Sequence, residues 1–263
     1  KDIKYFVLDE ADRMLDMGFY DDIMKIANEL PKQRQNLLFS ATMPPKIRTL
    51  ATTLLKNPES ISLAISKPAE GLTQHAYMTH DNQKVKLVRE ILKAKGKDLS
   101  HVLIFASSIK SVREIKKTLN KAGMRASEMH SGLDQEQREQ TIRDFKNKKI
   151  RILVATDILS RGIDIKGIEL VINYEVPHDA EDYVHRIGRT ARADRTGEAI
   201  TFINPKQVKN FMEIEKLIEK EVPKLELPKN FEKAPEYKLL QKSNKKRKWN
   251  NKRKFKKKPT SSK

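Results

Sequence analysis

The sequence predicts an α/β fold built on a parallel sheet covered by helices, and three observations predict it. Short apolar runs alternate with stretches of helical periodicity along most of the 263 residues. Two of the runs, 151–155 (RILVA) and 170–173 (LVIN), are almost continuously aliphatic or β-branched, as strands buried on both faces require. Glycine and proline punctuate the alternation where helices stop.

Taken in order, residues 4–8 read as a strand and 21–30 as a helix ended by Pro31. A strand at 35–39, a helix at 45–55 and a short strand at 60–63 follow. Residues 66–71 hold a Pro and a Gly, break the pattern and read as a linker. The rhythm resumes with a strand at 74–78, a helix at 83–95, a strand at 101–105 and a helix at 109–122 closed by Gly123. A strand at 125–129 and a helix at 135–146 precede the two buried runs. A helix at 179–187, a strand at 198–203 and a helix at 206–219 complete the set. After Pro223 the pattern fades, and from 242 to 258 the chain is almost all Lys, Arg and Asn, with Trp249 and Phe255 interleaved. Such a composition cannot bury enough surface to order itself. The expected organisation is therefore a first unit over 1–65, a linker at 66–72, a second unit over 73–222 and a flexible basic tail over 223–263.

The formal net charge is +19, and its placement matters more than its size. Residues 229–263 hold 15 Lys and Arg against 2 Asp and Glu, a net of +13, which leaves +6 for the other 228 residues. A basic end of this kind is either a solubilising tail or an electrostatic footprint for a polyanion. The chain has no cysteine, which excludes disulfides and thiolate metal sites and fits a reducing cytoplasm. No stretch reaches the roughly 18 apolar residues of a membrane-spanning helix. The sequence opens at Lys1 within a strand approach, so a cut N-terminal end is expected.

Four short segments carry chemistry. In VLDEAD, at 7–12, an apolar strand delivers adjacent carboxylates to its C-terminal end, where open α/β sheets bind ligands. Asp9 suits Mg²⁺ there and Glu10 suits activation of a water; an acidic cluster opening a helix is the structural alternative. Ser40 and Thr42 flank Ala41 after the next strand, as hydroxyls able to bond neighbouring carboxylates or simply as a turn and helix cap. Thr156-Asp157 and Arg161-Gly162-Ile163-Asp164 follow a buried strand; Gly162 permits close backbone approach and Asp164 can accept from a ribose hydroxyl, or the stretch is a capped helix start. HRIGRTAR, at 185–192, packs four cations into eight residues, which suits a phosphate gripped by arginine forks or a solvated basic face.

Together these segments, with VLIFASS at 102–108, QEQR at 135–138, ATDILSRGIDI at 155–165 and VINYEVP at 171–177, resemble the DEAD-box RNA helicases, and within them the bacterial RhlE-like members. The resemblance spans residues 1 to about 221. It implies the C-terminal part of a first RecA-like lobe, a complete second RecA-like lobe and a disordered basic tail, working with ATP, Mg²⁺ and RNA and with no membrane. It implies that Asp9 holds Mg²⁺ through water, that Glu10 activates the hydrolytic water, and that Asp12 and His185 knit the site across the lobes. Ser40 and Thr42 couple hydrolysis to strand separation, Gly162 and Asp164 meet the nucleotide, and Arg189 and Arg192 act as arginine fingers. Arg138, Thr156, Arg161 and Gly162 line the RNA backbone, with Lys245, Lys246, Arg247, Lys248 and Trp249 as further RNA contacts in the tail. Ala191 departs from the glycine more usual there, and no GxxxxGK[ST] phosphate loop occurs in the sequence. The 263 residues alone are therefore expected to be inactive; the alternative reading is a non-catalytic half-helicase that binds RNA.

Overall fold

The computed structural model describes residues 2–40, 43–61, 71–96, 99–157, 167–190 and 197–239. The first unit runs β1 (Tyr5–Leu8), α1 (Ala11–Asp16), α2 (Tyr20–Glu29), β2 (Gln35–Leu38) and α3 (Pro45–Leu54). β1 and β2 pair in parallel, from Tyr5 opposite Gln35 to Leu8 opposite Leu38. The two-residue period of a strand turns Phe6 and Leu8 toward the helices, where they pack with Ala11, Ile23, Ile47 and Leu50. Tyr5 and Val7 point the other way and are exposed. Of the strand expected at 60–63, Ser60 and Ile61 are in no strand, and Ile61 is 84% exposed, while 62 and 63 lie outside the described residues. The expected linker also lies outside the described residues, apart from Gly71 and Leu72, and Leu72 already pairs with Gly197.

The second unit runs β3 (Leu72–Met78), a 3₁₀ turn (Asp81–Gln83), α4 (Lys84–Ala94), β4 (Val102–Phe105), α5 (Ile109–Lys121), β5 (Ala126–Met129) and α6 (Gln135–Lys146). It continues with β6 (Ile152–Ala155), β7 (Leu170–Asn173), α7 (Ala180–Ile187), β8 (Gly197–Ile203), α8 (Val208–Leu217) and β9 (Lys224–Leu225). Its sheet has the order β5-β6-β4-β7-β8-β3-β9, and the pairings are parallel. β4, β6 and β7 are buried along their whole length, as their apolar runs require, and the polar Asn173 ending β7 donates to the Thr201 hydroxyl. Val102, Ile104, Val154, Ile172 and Phe202 pack under α4 and α5. Residues of opposite parity pack elsewhere: Leu103, Phe105 and Val171 with Phe145 of α6, and Ala199 and Ile203 with α7 and α8. Local signals place the helix ends. Asp134 and Gln137 form a capping box on α6, and the Ser108 hydroxyl accepts from the Ser111 N–H to open α5.

The flexible tail expected from residue 223 is corrected at its start. β9 adds to the outer edge of β3, with Lys224 opposite Ala76, and the Ala76 N–H donates to the Pro223 carbonyl at 2.9 Å. Beyond it, Leu227 and Phe231 pack against the α4 side, and Ala234 and Tyr237 against the α8 side. The Glu215 carboxylate of α8 fastens this strap, accepting from the Val222 N–H at 2.8 Å, Lys224 Nζ at 2.5 Å and the Tyr237 hydroxyl at 2.6 Å. Scattered anchors separated by prolines have no period, so the sequence pattern conceals them. Residues 240–263 lie outside the described residues. Among the described residues no helix is long and apolar enough to cross a membrane.

Candidate functional site

Because β1 and β2 are parallel, their C-terminal ends open on one edge. Asp9, Glu10 and Asp12 follow β1, and Ser40 follows β2. The Phe39 N–H donates to the Leu8 carbonyl at 2.7 Å, and the Ala11 N–H to the Phe39 carbonyl at 3.0 Å, which fixes the two ends together. The Ser40 hydroxyl then accepts from the Asp12 N–H at 3.2 Å, so it satisfies an N-terminal donor of α1 from across the sheet. Glu10 has φ of 49°, the left-handed region that a residue with a side chain enters at a cost of roughly 1–3 kcal/mol. Such turns persist where the surroundings enforce them, and they cluster at active sites. The neighbouring Asp9 is exposed, with Oδ1 accepting from the Glu10 N–H at 2.9 Å. Among the described residues no group of three or more His, Asp or Glu makes a ready cage for a metal. Magnesium needs none: one or two exposed carboxylates plus phosphate oxygens from a nucleotide suffice, and Asp9 fits that part. Thr42 lies outside the described residues.

In the second sheet, Met129 lies opposite Ala155, and Phe105 is flanked by Ala155 and Asn173. The segments following β4, β5, β6 and β7 therefore share one edge, at the point where the strand order reverses around β4. Thr156 is 8% exposed; its N–H donates to the Met129 carbonyl, and its hydroxyl finds no partner among the described residues. Arg138 of α6 donates from Nη2 to the Ser131 carbonyl at 3.0 Å, while its Nε is buried without an acceptor among the described residues. Buried polar atoms are normally satisfied, yet atoms elsewhere in the unit, such as Gln83 Oε1 and Gln207 Oε1, likewise find no partner among the described residues. Glu175 beyond β7 accepts from the Ser107 N–H at 3.0 Å, and burial pushes its carboxyl above the ordinary range despite that bond.

α7 lies across this sheet. The Tyr183 hydroxyl reaches Gln74 of β3 at 2.8 Å, and Arg186 reaches Asp157 beyond β6. His185 precedes Arg186 in the last turn of the helix, and Arg189 lies two residues beyond its end. Gly188 between them has a packing reason: a Cβ there would meet the Val184 carbonyl oxygen at 3.0 Å. Thr190 then closes the turn, its hydroxyl donating to the Ile168 carbonyl at 2.6 Å. The four cations of HRIGRTAR are thus not one phosphate-facing group. Arg186 is 5% exposed and forked onto Asp157, whereas Arg192 lies outside the described residues, as do Arg161, Gly162, Asp164, Lys245, Lys246, Arg247, Lys248 and Trp249. Sequence reasoning placed Asp157 and Arg186 in separate motifs without pairing them, and gave Glu175 no role. The available signal for Arg186 was its place in the apolar stripe of α7, between Tyr183 and Ile187.

Residues 1–50 match the DEAD/DEAH box helicase family model, and 83–194 match the helicase conserved C-terminal domain. The chain is 40% identical over 216 residues to the ATP-dependent RNA helicase CshA of Limosilactobacillus reuteri, covering 82% of this chain and 43% of CshA. The structure of S. cerevisiae Dbp5 bound to RNA and ADP BeF3 is similar with a TM-score of 0.77 and 30% identity, over 86% of this chain and 60% of that one. E. coli SrmB, bound to the regulator of ribonuclease activity A, is similar with a TM-score of 0.57 and 27% identity, over 64% of this chain and 99% of that one. The chain spans about half the length of the curated relatives it matches.

Proposed function

Because this chain belongs to the DEAD-box family of helicases, we propose that it is the rear portion of a two-lobed motor that couples ATP hydrolysis to RNA duplex unwinding or remodelling. The edge of the first sheet carries this reading: Asp9 and Glu10 stand exposed at a strand end, Glu10 is held left-handed, and Ser40 is tied to the head of α1. In the proposal Asp9 holds magnesium through water, Glu10 takes a proton from the attacking water, and Asp12 and His185 join the lobes. Ser40 and Thr42 transmit the step, Gly162 and Asp164 meet the nucleotide, and Arg189 with Arg192 stabilises the terminal phosphate. An arginine finger supplies about 10³–10⁵ in rate, or roughly 4–7 kcal/mol.

RNA is read through phosphates and sugars at Arg138, Thr156, Arg161 and Gly162, so little sequence selection is expected. The unsatisfied Thr156 hydroxyl and Arg138 Nε support that placement, as does a structural neighbour solved with RNA. The narrower likeness to RhlE-like members rests on motif spellings alone, and a cytoplasmic setting rests on the absence of cysteine. The test joins this chain to the upstream segment that its relatives carry and replaces Glu10 with Gln. ATP and RNA binding should persist while hydrolysis falls by orders of magnitude, because the amide keeps the shape and loses the base. Wild-type turnover in Glu10→Gln would refute the assignment. RNA binding without turnover in the joined wild type would favour the non-catalytic module instead.

A further inference from the structure

Arg186 donates four hydrogen bonds among the described residues, and the proposed mechanism has no use for it. Its Nε donates to Asp157 Oδ1 at 2.6 Å and its Nη2 to Asp157 Oδ2 at 2.5 Å, a side-on fork. Nη1 donates to Asn173 Oδ1 at 3.3 Å and to the Glu175 carbonyl at 3.2 Å. Asn173 in turn donates to the Thr201 hydroxyl at 3.0 Å, and the Phe105 ring lies 5.2 Å from the guanidinium carbon. One side chain of α7 is thereby fastened to the segments that follow β6 and β7.

The two ends of the fork belong to different parts of the proposed site. Asp157 adjoins Thr156, whose hydroxyl awaits an acceptor at the RNA edge. Arg186 adjoins His185, assigned to joining the lobes, and stands three residues before Arg189, assigned to the terminal phosphate. A two-bond planar fork transmits orientation as well as distance, so Asp157 cannot shift or turn without breaking both bonds or carrying the guanidinium with it. Stability is a poor account of such a pair: burying Arg186 costs desolvation, and Asp157, with its side chain 37% exposed, is screened by solvent.

We propose that Arg186 is a positioning residue that locks the Thr156–Asp157 turn to α7, so that RNA engaging the turn changes the helix that bears His185 and leads into Arg189. This rests on the RNA and ATP reading above. It adds a physical link between the two sites, within one lobe, that needs no contact between ligands.

The test is site-resolved hydrogen exchange on the full 263-residue chain, with and without a single-stranded oligouridylate. In the wild type, RNA should slow exchange both around residues 129–138 and in α7. In Asp157→Asn, which keeps the side-chain shape, and in Arg186→Lys, which keeps the charge, RNA should still protect 129–138 while the α7 response is lost. An α7 response equal to wild type in both variants would overturn the proposal. So would a wild type in which RNA protects 129–138 and leaves α7 unchanged. Absence of RNA protection at both segments would overturn the RNA reading as well, so the two failures are distinguishable. A second readout uses the two-lobed protein. Arg186→Lys should raise the RNA concentration for half-maximal ATPase about tenfold with the RNA-free rate little changed, a coupling of ordinary allosteric size. A parallel fall of both rates would reduce Arg186 to a structural role and overturn the proposal.

Discussion

Replacing Tyr237 with Phe tests whether the strap over residues 223–239 is part of the folded body. The substitution keeps the ring, which packs against Phe211 with centroids 6.4 Å apart and lies 4.3 Å from Lys224 Nζ. It removes only the hydroxyl that donates to Glu215 Oε2 at 2.6 Å. Burial and the adjacent Glu215 carboxylate both push the phenol up, so the hydroxyl remains a donor across the working pH range. A hydrogen bond to a charged group is worth about 1.5–3 kcal/mol, and the half-buried position puts this one near the lower end. Glu215 keeps Val222 and Lys224 on its other oxygen, so the carboxylate is not stranded. The expected loss is therefore about 1.5 kcal/mol, or roughly 3–6 °C in melting temperature for a unit of this size. Thermal denaturation followed by circular dichroism gives the shift, and hydrogen exchange at Ala76, whose N–H donates to Pro223, gives its location. An unchanged melting temperature with unchanged protection at Ala76 would show that the strap does not hold the β3 edge.

Glu175 gives a pH signature. Burial raises its carboxyl in the folded state, so the native chain holds the proton to higher pH than the unfolded chain. Stability from that group is complete below the ordinary carboxyl range and is lost as pH rises through the raised value. Glu175→Gln should therefore gain on the wild type in melting temperature as pH rises from about 4 to about 7, and a constant or shrinking difference would contradict the burial argument. Gly188→Ala places a methyl 3.0 Å from the Val184 carbonyl oxygen, and the overpacking should cost about 1–3 kcal/mol in a thermal melt. Deleting residues 240–263 should weaken binding to unrelated RNAs alike and flatten the salt dependence by about 0.7 log units for each phosphate that the segment neutralises. Selective loss of one RNA would mean that this segment reads sequence or shape.

The sequence by itself determined the class of fold and the two motif-bearing strand ends. Aliphatic runs such as 152–155 and 170–172 admit little besides strands covered on both faces, and carboxylates or hydroxyls directly after such runs must emerge at the sheet edge. Tertiary structure decided which edges meet and which partners each side chain takes. Asp157 and Arg186 are 29 residues apart, and periodicity reports that an element is buried without naming its neighbour. Only the strand order, with β6 and β7 on either side of β4, brings the end of one element against the helix that follows the other. The same holds for the strap. Lys224, Phe231 and Tyr237 follow no repeat, and they are ordered because Glu215, Lys86 and the open edge of β3 wait for them in space. The left-handed Glu10 is likewise invisible in composition: the bonds linking Leu8, Phe39 and Ala11 impose that turn, and those bonds exist only once β1 and β2 have paired.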